Sequence, residues 1–436
     1  MASLPPGPAW PKTVQTIAWW TRPLAFFERC RARYGTRFTV RLVAQEPFVH
    51  LCDPDEVKEV FTAAPDVLHP GEGARILEPM VGAFSVILLD EGPHLEQRRL
   101  MLPAFHGERM ARLTGLMTEV AEREAARLPL DRPAPVHGHM QAVTLEIILR
   151  AVFGLDEGER LDALRSRLAR LLELGATPLG LLPALQRDLG PGSPGRRWMR
   201  LRTEIDELIF GLVAERRARD DDRDDVLSMF LTARHEDDGT PMSDQELRDE
   251  LMTMLVAGHE TTASTLAWGI ERLLRHPEAV ARLRDEIDGG DGDAYLTATI
   301  QETMRRRPVL PNSAPRLVAR TVEIGGWRYE PGVCLVPNAY LIHHDPAIYP
   351  DPYAFRPERF LEEPPGTYTW IPFGGGRRRC IGASFAMVEM KVVLRALLAA
   401  CDLRPAPTGL EVARRRNITI RPAHGAATIL AERVAA

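Results

Sequence analysis

Phe373-Gly374-Gly375-Gly376-Arg377-Arg378-Arg379-Cys380-Ile381-Gly382 is the stretch on which the reading of this chain turns. It stands directly before a long apolar run with helical spacing that starts near Ala383. Consecutive glycines let a backbone pass close to something flat or bulky. Three arginines beside a cysteine, together with the positive end of the following helix, favour thiolate over thiol. A lone thiolate in such a setting is a nucleophile, a zinc ligand or an axial iron ligand. Zinc needs three or four ligands, and no Cys/His set of matching spacing lies nearby. A nucleophile needs a base, which sequence alone does not place. An ordinary core cysteine would explain neither the glycines, nor the arginines, nor the aromatic residue seven positions upstream.

Upstream, Ser243 followed by Glu246 predicts a capping box that opens a long apolar helix reaching about His276, before Pro277. About 32 residues at 1.5 Å each span roughly 48 Å, enough to cross a whole domain, so this helix is expected to be buried. Another helix, carrying Glu302-Thr-Met-Arg305, ends near Arg307 before Pro308. Helical spacing dominates Leu95–Leu128 and Val143–Arg234, with breaks at Pro178–Pro183 and Gly190–Gly195 and a charged turn at Asp220–Asp225. Arg37–Leu51 reads as a strand pair, Asp53–Ala63 as a short helix, and residues 316–337 as short strands around Gly325–Gly326. His343–Pro372 is irregular and rich in Pro and aromatics, a length of loop that is uncommon without a function. No linker divides the chain, so 1–436 is expected to be a single, mainly α domain with a small β portion. Residues 1–20 form its Pro-rich N-terminal segment, with Thr13–Trp20 a helix packed on the body.

Composition narrows the function classes. The chain has 436 residues, 55 basic and 60 acidic side chains, a net charge of -5, 45% hydrophobic and 26% charged residues. That is ordinary for a globular protein and excludes disorder and a disulfide scaffold. The acidic balance argues against nucleic-acid binding. Of the basic residues only Lys12, Lys58 and Lys391 are lysine, which reads chiefly as the mark of a GC-rich coding genome. Five cysteines without a Cys-x-x-Cys fit a reducing compartment. No signal peptide opens the chain, and no apolar stretch reaches the length of a membrane span. The expectation is a cytoplasmic protein with no transmembrane anchor.

The loop matches Phe-x-x-Gly-x-Arg-x-Cys-x-Gly at Phe373, Gly376, Arg378, Cys380 and Gly382, and so resembles the haem-binding loop of the cytochrome P450 monooxygenases. The resemblance implies the P450 fold, haem b between the long central helix and the helix after the cysteine loop, and Cys380 as axial iron ligand. It implies that Glu302 and Arg305 form a buried structural pair, joined by Arg359 from Arg356-Pro-Glu-Arg359-Phe360. Ala257-Gly258-His259-Glu260-Thr261-Thr262 resembles the family's oxygen-binding groove. There Gly258 leaves room for O2, while Glu260 and Thr261 form the catalytic acid–alcohol pair. An apolar helix is expected to raise the Glu260 pKa, which suits proton relay. His259 is assigned to structure. His94, Arg98, Arg316 and Arg378 match the positions that bind haem propionates, as guanidinium forks suit carboxylates.

The implied reaction inserts one oxygen atom from O2 into an apolar small molecule of terpenoid, fatty-acyl, steroid or polyketide class. A place in secondary metabolism goes with that substrate range. The substrate would meet Pro70–Leu89, Leu171–Leu185, Leu251–Thr262, Val309–Ala314 and Asn417–Ala423. Electrons would come from a separate ferredoxin with its reductase or a flavodoxin, drawn to Arg98, Arg99, Arg377 and Arg379. Three alternatives are a peroxygenase of the same fold using H2O2, a haem-thiolate sensor without turnover, and a thiol enzyme with Cys380 as nucleophile. Glu260–Thr261 counts against the first two, and the five matched loop positions against the third.

Overall fold

The computed structural model describes residues 4–432 apart from 106–107, 156–157, 176, 178–185, 220–224, 291 and 408. The break expected at Pro178–Pro183 and most of the charged turn at Asp220–Asp225 therefore lie outside the described residues. The chain opens with α1 (Lys12–Thr21) and α2 (Pro23–Tyr34), then β1 (Arg37–Val40), β2 (Phe48–Leu51), α3 (Pro54–Thr62), β3 (Leu68–His69), α4 (Pro70–Gly73) and α5 (Glu78–Val81). The Pro-rich start is tied down by buried Gln15 of α1. Its Nε2 donates to the carbonyls of Pro8 and Trp10, and its Oε1 accepts from Arg41 N–H.

The helical body follows as α6 (Glu91–Met101), α7 (Glu108–Ala125), β4 (Pro133–Pro135), α8 (Val136–Phe153), α9 (Glu159–Gly175), α10 (Pro194–Arg219) and α11 (Val226–Thr232). Then come α12 (Asp244–Leu273), α13 (Pro277–Gly289) and α14 (Ala294–Arg306). Both halves of the capping box at α12 are present, Glu246 N–H to Ser243 Oγ and Ser243 N–H to Glu246 Oε2. Its 30 residues span about 45 Å. The helix ends three residues before His276, because Pro277 occupies the first turn of α13. It is buried on nearly all sides and packs most heavily against α8.

The remainder is β5 (Arg316–Val318), β6 (Val322–Ile324), β7 (Trp327–Tyr329), β8 (Cys334–Pro337), α15 (Ala339–His343), α16 (Arg359–Glu362) and α17 (Ala383–Ala400). It closes with β9 (Cys401–Pro405), β10 (Ala413–Arg416), β11 (Thr419–Pro422) and β12 (Ala427–Glu432). One five-stranded sheet runs β1-β2-β8-β5-β3, with β2 and β8 parallel (Phe48 opposite Cys334) and the other pairs antiparallel. A second sheet, β4-β12-β9, and the β10–β11 hairpin occupy the C-terminal end. These C-terminal strands were not separated in the sequence reading, since Pro405, Pro407, Gly409, Pro422 and Gly425 interrupt any alternation there. Two apolar cores result, one among the helices and one under the five-stranded sheet. Among the described residues no helix is long and apolar enough to cross a membrane.

Candidate functional site

The cysteine loop is a tight turn before α17. Cys380 N–H bonds back to Phe373 O at 2.9 Å, and Gly374 and Gly376 both take positive φ. A Cβ at Gly375 or Gly376 would run into Phe61 of α3, its ring for the first and its backbone for the second. The bulky group that the glycines admit is thus Phe61. Phe373 packs edge-on against Trp370. Gly382 caps α17 and aims its N–H at Cys380.

Cys380 is exposed, while Cys30, Cys52, Cys334 and Cys401 are buried. Desolvation by the enclosing loop nonetheless raises the Cys380 pKa, against the opposing pull of Gly382 N–H, Arg379 and Arg98. The expectation that three neighbouring arginines would secure the thiolate is corrected here. Arg378 turns away from the sulfur to Asp90 at 2.6 Å, and also donates to the carbonyls of Val86 and Leu89. A bound cation, not the loop's own charge, is what would complete ionisation of this thiol.

His94, Arg316 and Arg378 line one pocket together with Phe61, Glu91 and Arg377. Arg98 sits close enough to act electrostatically on both Cys380 and Arg378. Arg316 is buried. It donates only to Ala314 O and lies over the Phe61 ring, and its pKa falls to about 10 through burial and the nearby Arg378. Burial, Arg378 and Arg98 hold His94 neutral, with a pKa of about 3. Among the described residues neither Arg316 nor Arg98 has a carboxylate partner, whereas Arg378 already has Asp90. Buried guanidiniums without acids are the donor set that haem carboxylates would satisfy, so the residues fit the group. Arg378 is the exception, since a propionate would have to share it with Asp90.

On α12, Ala257 is exposed in mid-helix although Leu251–Leu255 and Thr262–Leu273 are buried, and Thr261 lies one turn further along the same face. Thr261 Oγ1 donates to Ala257 O at 2.7 Å. This uncovered stripe is the open side of the helix. Gly258 does not belong to it, because a Cβ there would collide with Ile148 of α8. Its smallness serves the close α8–α12 crossing at Ile148.

Glu260 departs furthest from expectation. Its carboxylate accepts from Gln141 Nε2 at 2.6 Å, Ser264 Oγ at 3.2 Å and Arg416 Nη1 at 3.1 Å, with His137 Nε2 3.5 Å away. Desolvation alone would raise its pKa, but His137, Arg416 and His259 outweigh it and hold it down at about 2. Glu260 is a locked anion facing α8 and β10, not an acid of raised pKa. His259 is structural as expected, buried against Thr144 and neutral, its pKa lowered to about 4 chiefly by burial. Buried carboxylates with raised pKa are instead Glu250 of α12 and Glu389 of α17, the latter desolvated and hydrogen-bonded to Thr262.

Glu302 and Arg305 form a fully buried pair at 2.7 Å, and Arg359 Nε reaches Glu302 at 3.2 Å. A further set escaped the sequence reading. Asp249 Oδ2 accepts from Phe84 N–H at 3.0 Å, Glu250 Oε1 from Val86 N–H at 2.7 Å, and Thr253 Oγ1 donates to Ser85 Oγ at 2.7 Å. These bonds pin the loop after α5 to α12, and Arg378 holds the loop's other end. Asp249 and Glu250 lie in the second turn of α12, beyond the first-turn acids Asp244 and Glu246, and their partners are more than 160 positions away, so nothing local announces the clamp.

The fold and site together define a helical protein that presents one exposed cysteine before a helix, with half-buried Arg98 and, in the adjoining pocket, buried Arg316, neither with a carboxylate partner among the described residues. The cytochrome P450 profile matches residues 3–424, and the chain belongs to the cytochrome P450 family, the haem-thiolate monooxygenases. It is 40% identical to cytochrome P450 135B1 of Mycobacterium tuberculosis, a name given to that protein by inference, over 97% of this chain and 90% of the relative. It is 37% identical to cytochrome P450 138, likewise so named, over 99% and 97%. Two solved structures share the fold. Retinoic acid-bound cyanobacterial CYP120A1 has a TM-score of 0.87 at 21% identity, over 99% of this chain and 100% of the other. The cytochrome P450DA haem domain has a TM-score of 0.83 at 24% identity, over 100% and 99%.

Proposed function

We propose that this chain is a haem b monooxygenase that inserts one oxygen atom from O2 into an apolar small molecule of terpenoid, fatty-acyl, steroid or polyketide class. The observation that carries the reading is the reachable Cys380 beside Arg316 and Arg98, cations with no acid of their own. Cys380 would ligate the haem iron, and Arg316, Arg98 and His94 would hold the propionates, with Arg378 as a shared contact. Phe373 and Gly382 shape the loop around the sulfur. Haem bound there supplies the iron on which O2 is activated, and the thiolate makes that iron electron-rich. The Ala257–Thr261 stripe is the surface at which substrate and O2 meet α12, and Thr261 is the hydroxyl placed to pass a proton there. Glu260 keeps its charge, so its part is to hold α12, α8 and the β10–β11 hairpin in register. Glu302, Arg305 and Arg359 brace the proximal side.

Electrons reach the site from a separate ferredoxin with its reductase or a flavodoxin. Arg377 and Arg379 are exposed beside the cysteine loop and suit an acidic carrier, whereas Arg99 already pairs with Glu236 at 2.5 Å. The deciding experiment is the carbon monoxide difference spectrum of the reduced protein, with Cys380→Ala as control. A Soret band shifted far to the red, absent from the variant, is expected. A band at the position typical of histidine ligation, or one unchanged in the variant, would overturn the assignment.

A further inference from the structure

Arg415 on β10 is an anomaly among the buried charges. It is 7% exposed, and its Nε and Nη2 have no hydrogen-bond partner among the described residues. Its guanidinium stacks on Trp19 of α1, 3.7 Å from the ring centroid, and the indole N–H of Trp19 is also buried without an acceptor. A third orphaned donor lies near enough to feel the Arg415 charge: Nε2 of fully buried His50 on β2. The tautomer of His50 follows from its neighbours. Asn338 Oδ1 is taken by Leu341 N–H, so Asn338 Nδ2 faces His50 Nδ1, which must accept. The proton of this ring is then on Nε2. Three donors from three elements thus gather with no acceptor between them.

Stacking on an indole offsets only part of what burying an ion costs. A water molecule would satisfy geometry but not charge. The orphaned edge of Arg415 is informative as well. Nε and Nη2 are the same two atoms with which Arg305 grips Glu302, at 2.7 and 2.9 Å, and Arg272 grips Glu271, at 2.5 and 2.6 Å. In this chain that edge is the carboxylate fork.

We propose that Arg415 and Trp19, backed by His50, form a carboxylate-binding site at the junction of α1, β2 and the β10–β11 hairpin. The carboxylate arrives either as a small free acid or as the head of a long-chain acid whose tail extends along the protein. The test is isothermal titration calorimetry on the haem-loaded protein at fixed ionic strength, with acetate, dodecanoate and dodecan-1-ol. At least one carboxylate is expected to bind at one site per chain, at least tenfold more tightly than to Arg415→Gln. Binding of acetate identifies the free-acid source, and binding of dodecanoate alone the long-chain source. No binding of either, equal affinity in Arg415→Gln, or dodecan-1-ol matching dodecanoate would each overturn the proposal. Trp19→Phe keeps the stacked ring and removes only the N–H, so a loss of twofold or more is expected there. Should both variants fail to fold, carbon-13 NMR of carboxyl-labelled acid bound to the native protein decides. The bound carboxyl is expected to titrate below its free value, and titration at or above that value would overturn the proposal. The carbon monoxide spectrum is independent of these readouts, so a failed anion site and a failed haem assignment are distinguishable.

Discussion

Replacing Glu302 by Ala is expected to cost roughly 3–5 kcal/mol, because it leaves buried guanidiniums without their acid. Glu302 and Arg305 are both 0% exposed. Glu302 accepts from Arg305 Nε and Nη2, from Arg359 Nε and from Arg356 N–H. Arg305 in turn donates to the carbonyls of His343, Pro352 and Ala354, at 2.6, 2.8 and 3.1 Å. Arg305→Met therefore breaks the same pair and also orphans three carbonyls, each costing about 1–3 kcal/mol. Arg359→Met removes the weaker arm at 3.3 Å and one bond to the Pro350 carbonyl but leaves the Glu302–Arg305 fork intact, a loss of about 1–3 kcal/mol. The expected order of damage is Arg305→Met, then Glu302→Ala, then Arg359→Met. Against a total stability of about 5–15 kcal/mol, the first is expected to leave little folded protein. Urea unfolding followed by circular dichroism and by loss of the Soret band measures the order. Glu302→Ala within about 1 kcal/mol of the native protein, or Arg359→Met as the worst of the three, would refute the reasoning.

Three other perturbations address the haem side. Arg316→Met removes a buried cation that has no acid of its own, so haem is expected to dissociate at least tenfold faster while the carbon monoxide band keeps its position; unchanged haem loss in apomyoglobin transfer would deny Arg316 its propionate. Thr261→Ala is expected to divert reducing equivalents into hydrogen peroxide, and coupling as tight as in the native protein would remove Thr261 from proton delivery. Glu250 is desolvated to a pKa of about 8, well above its unfolded value, so its contribution to stability is complete below about pH 4.5 and is lost as pH rises through 8. Glu250→Gln is expected to flatten stability against pH between those limits, as followed by urea midpoints, and an unaltered slope would contradict that assignment.

How much of this was legible follows from how far apart the partners lie. The capping box at Ser243 and Glu246, the Glu302–Arg305 turn and the start of α17 at Ala383 are set by residues within four positions of each other, and the sequence shows them. The β1–β2 pair likewise carries its own alternation. Arg359 was placed correctly beside Glu302 only through the family resemblance, since 57 positions separate them. The clamp of Asp249 and Glu250 on Phe84 and Val86 spans about as many residues as lie between α5 and α12, and no local pattern encodes it. Glycines are legible only in part. Gly375–Gly376 show that the backbone passes close to a bulky group, but not that the group is Phe61 of the chain itself, and Gly258 does not show that Ile148 packs against it.

Glu260 shows why a pKa is harder to read than a fold. An apolar helix raises a carboxyl by desolvation, and that contribution is present at Glu260. Its sign is reversed by Arg416, which arrives from a strand 156 positions away, and by His137 from α8. Glu389 meets no such cation, keeps only the Thr262 hydroxyl, and stays raised. Two carboxylates of buried helices thus end in opposite electrostatic states because only one of them meets cations from distant elements. The β10–β11 hairpin is where this is decided, because its neighbouring arginines serve opposite faces of one strand. Arg416 turns to Glu260 and is neutralised within the chain, while Arg415 turns to Trp19 and is not. The alternation of Arg415 and Arg416 across the strand therefore sets both the charge held at Glu260 of the central helix and the unpartnered guanidinium beside α1.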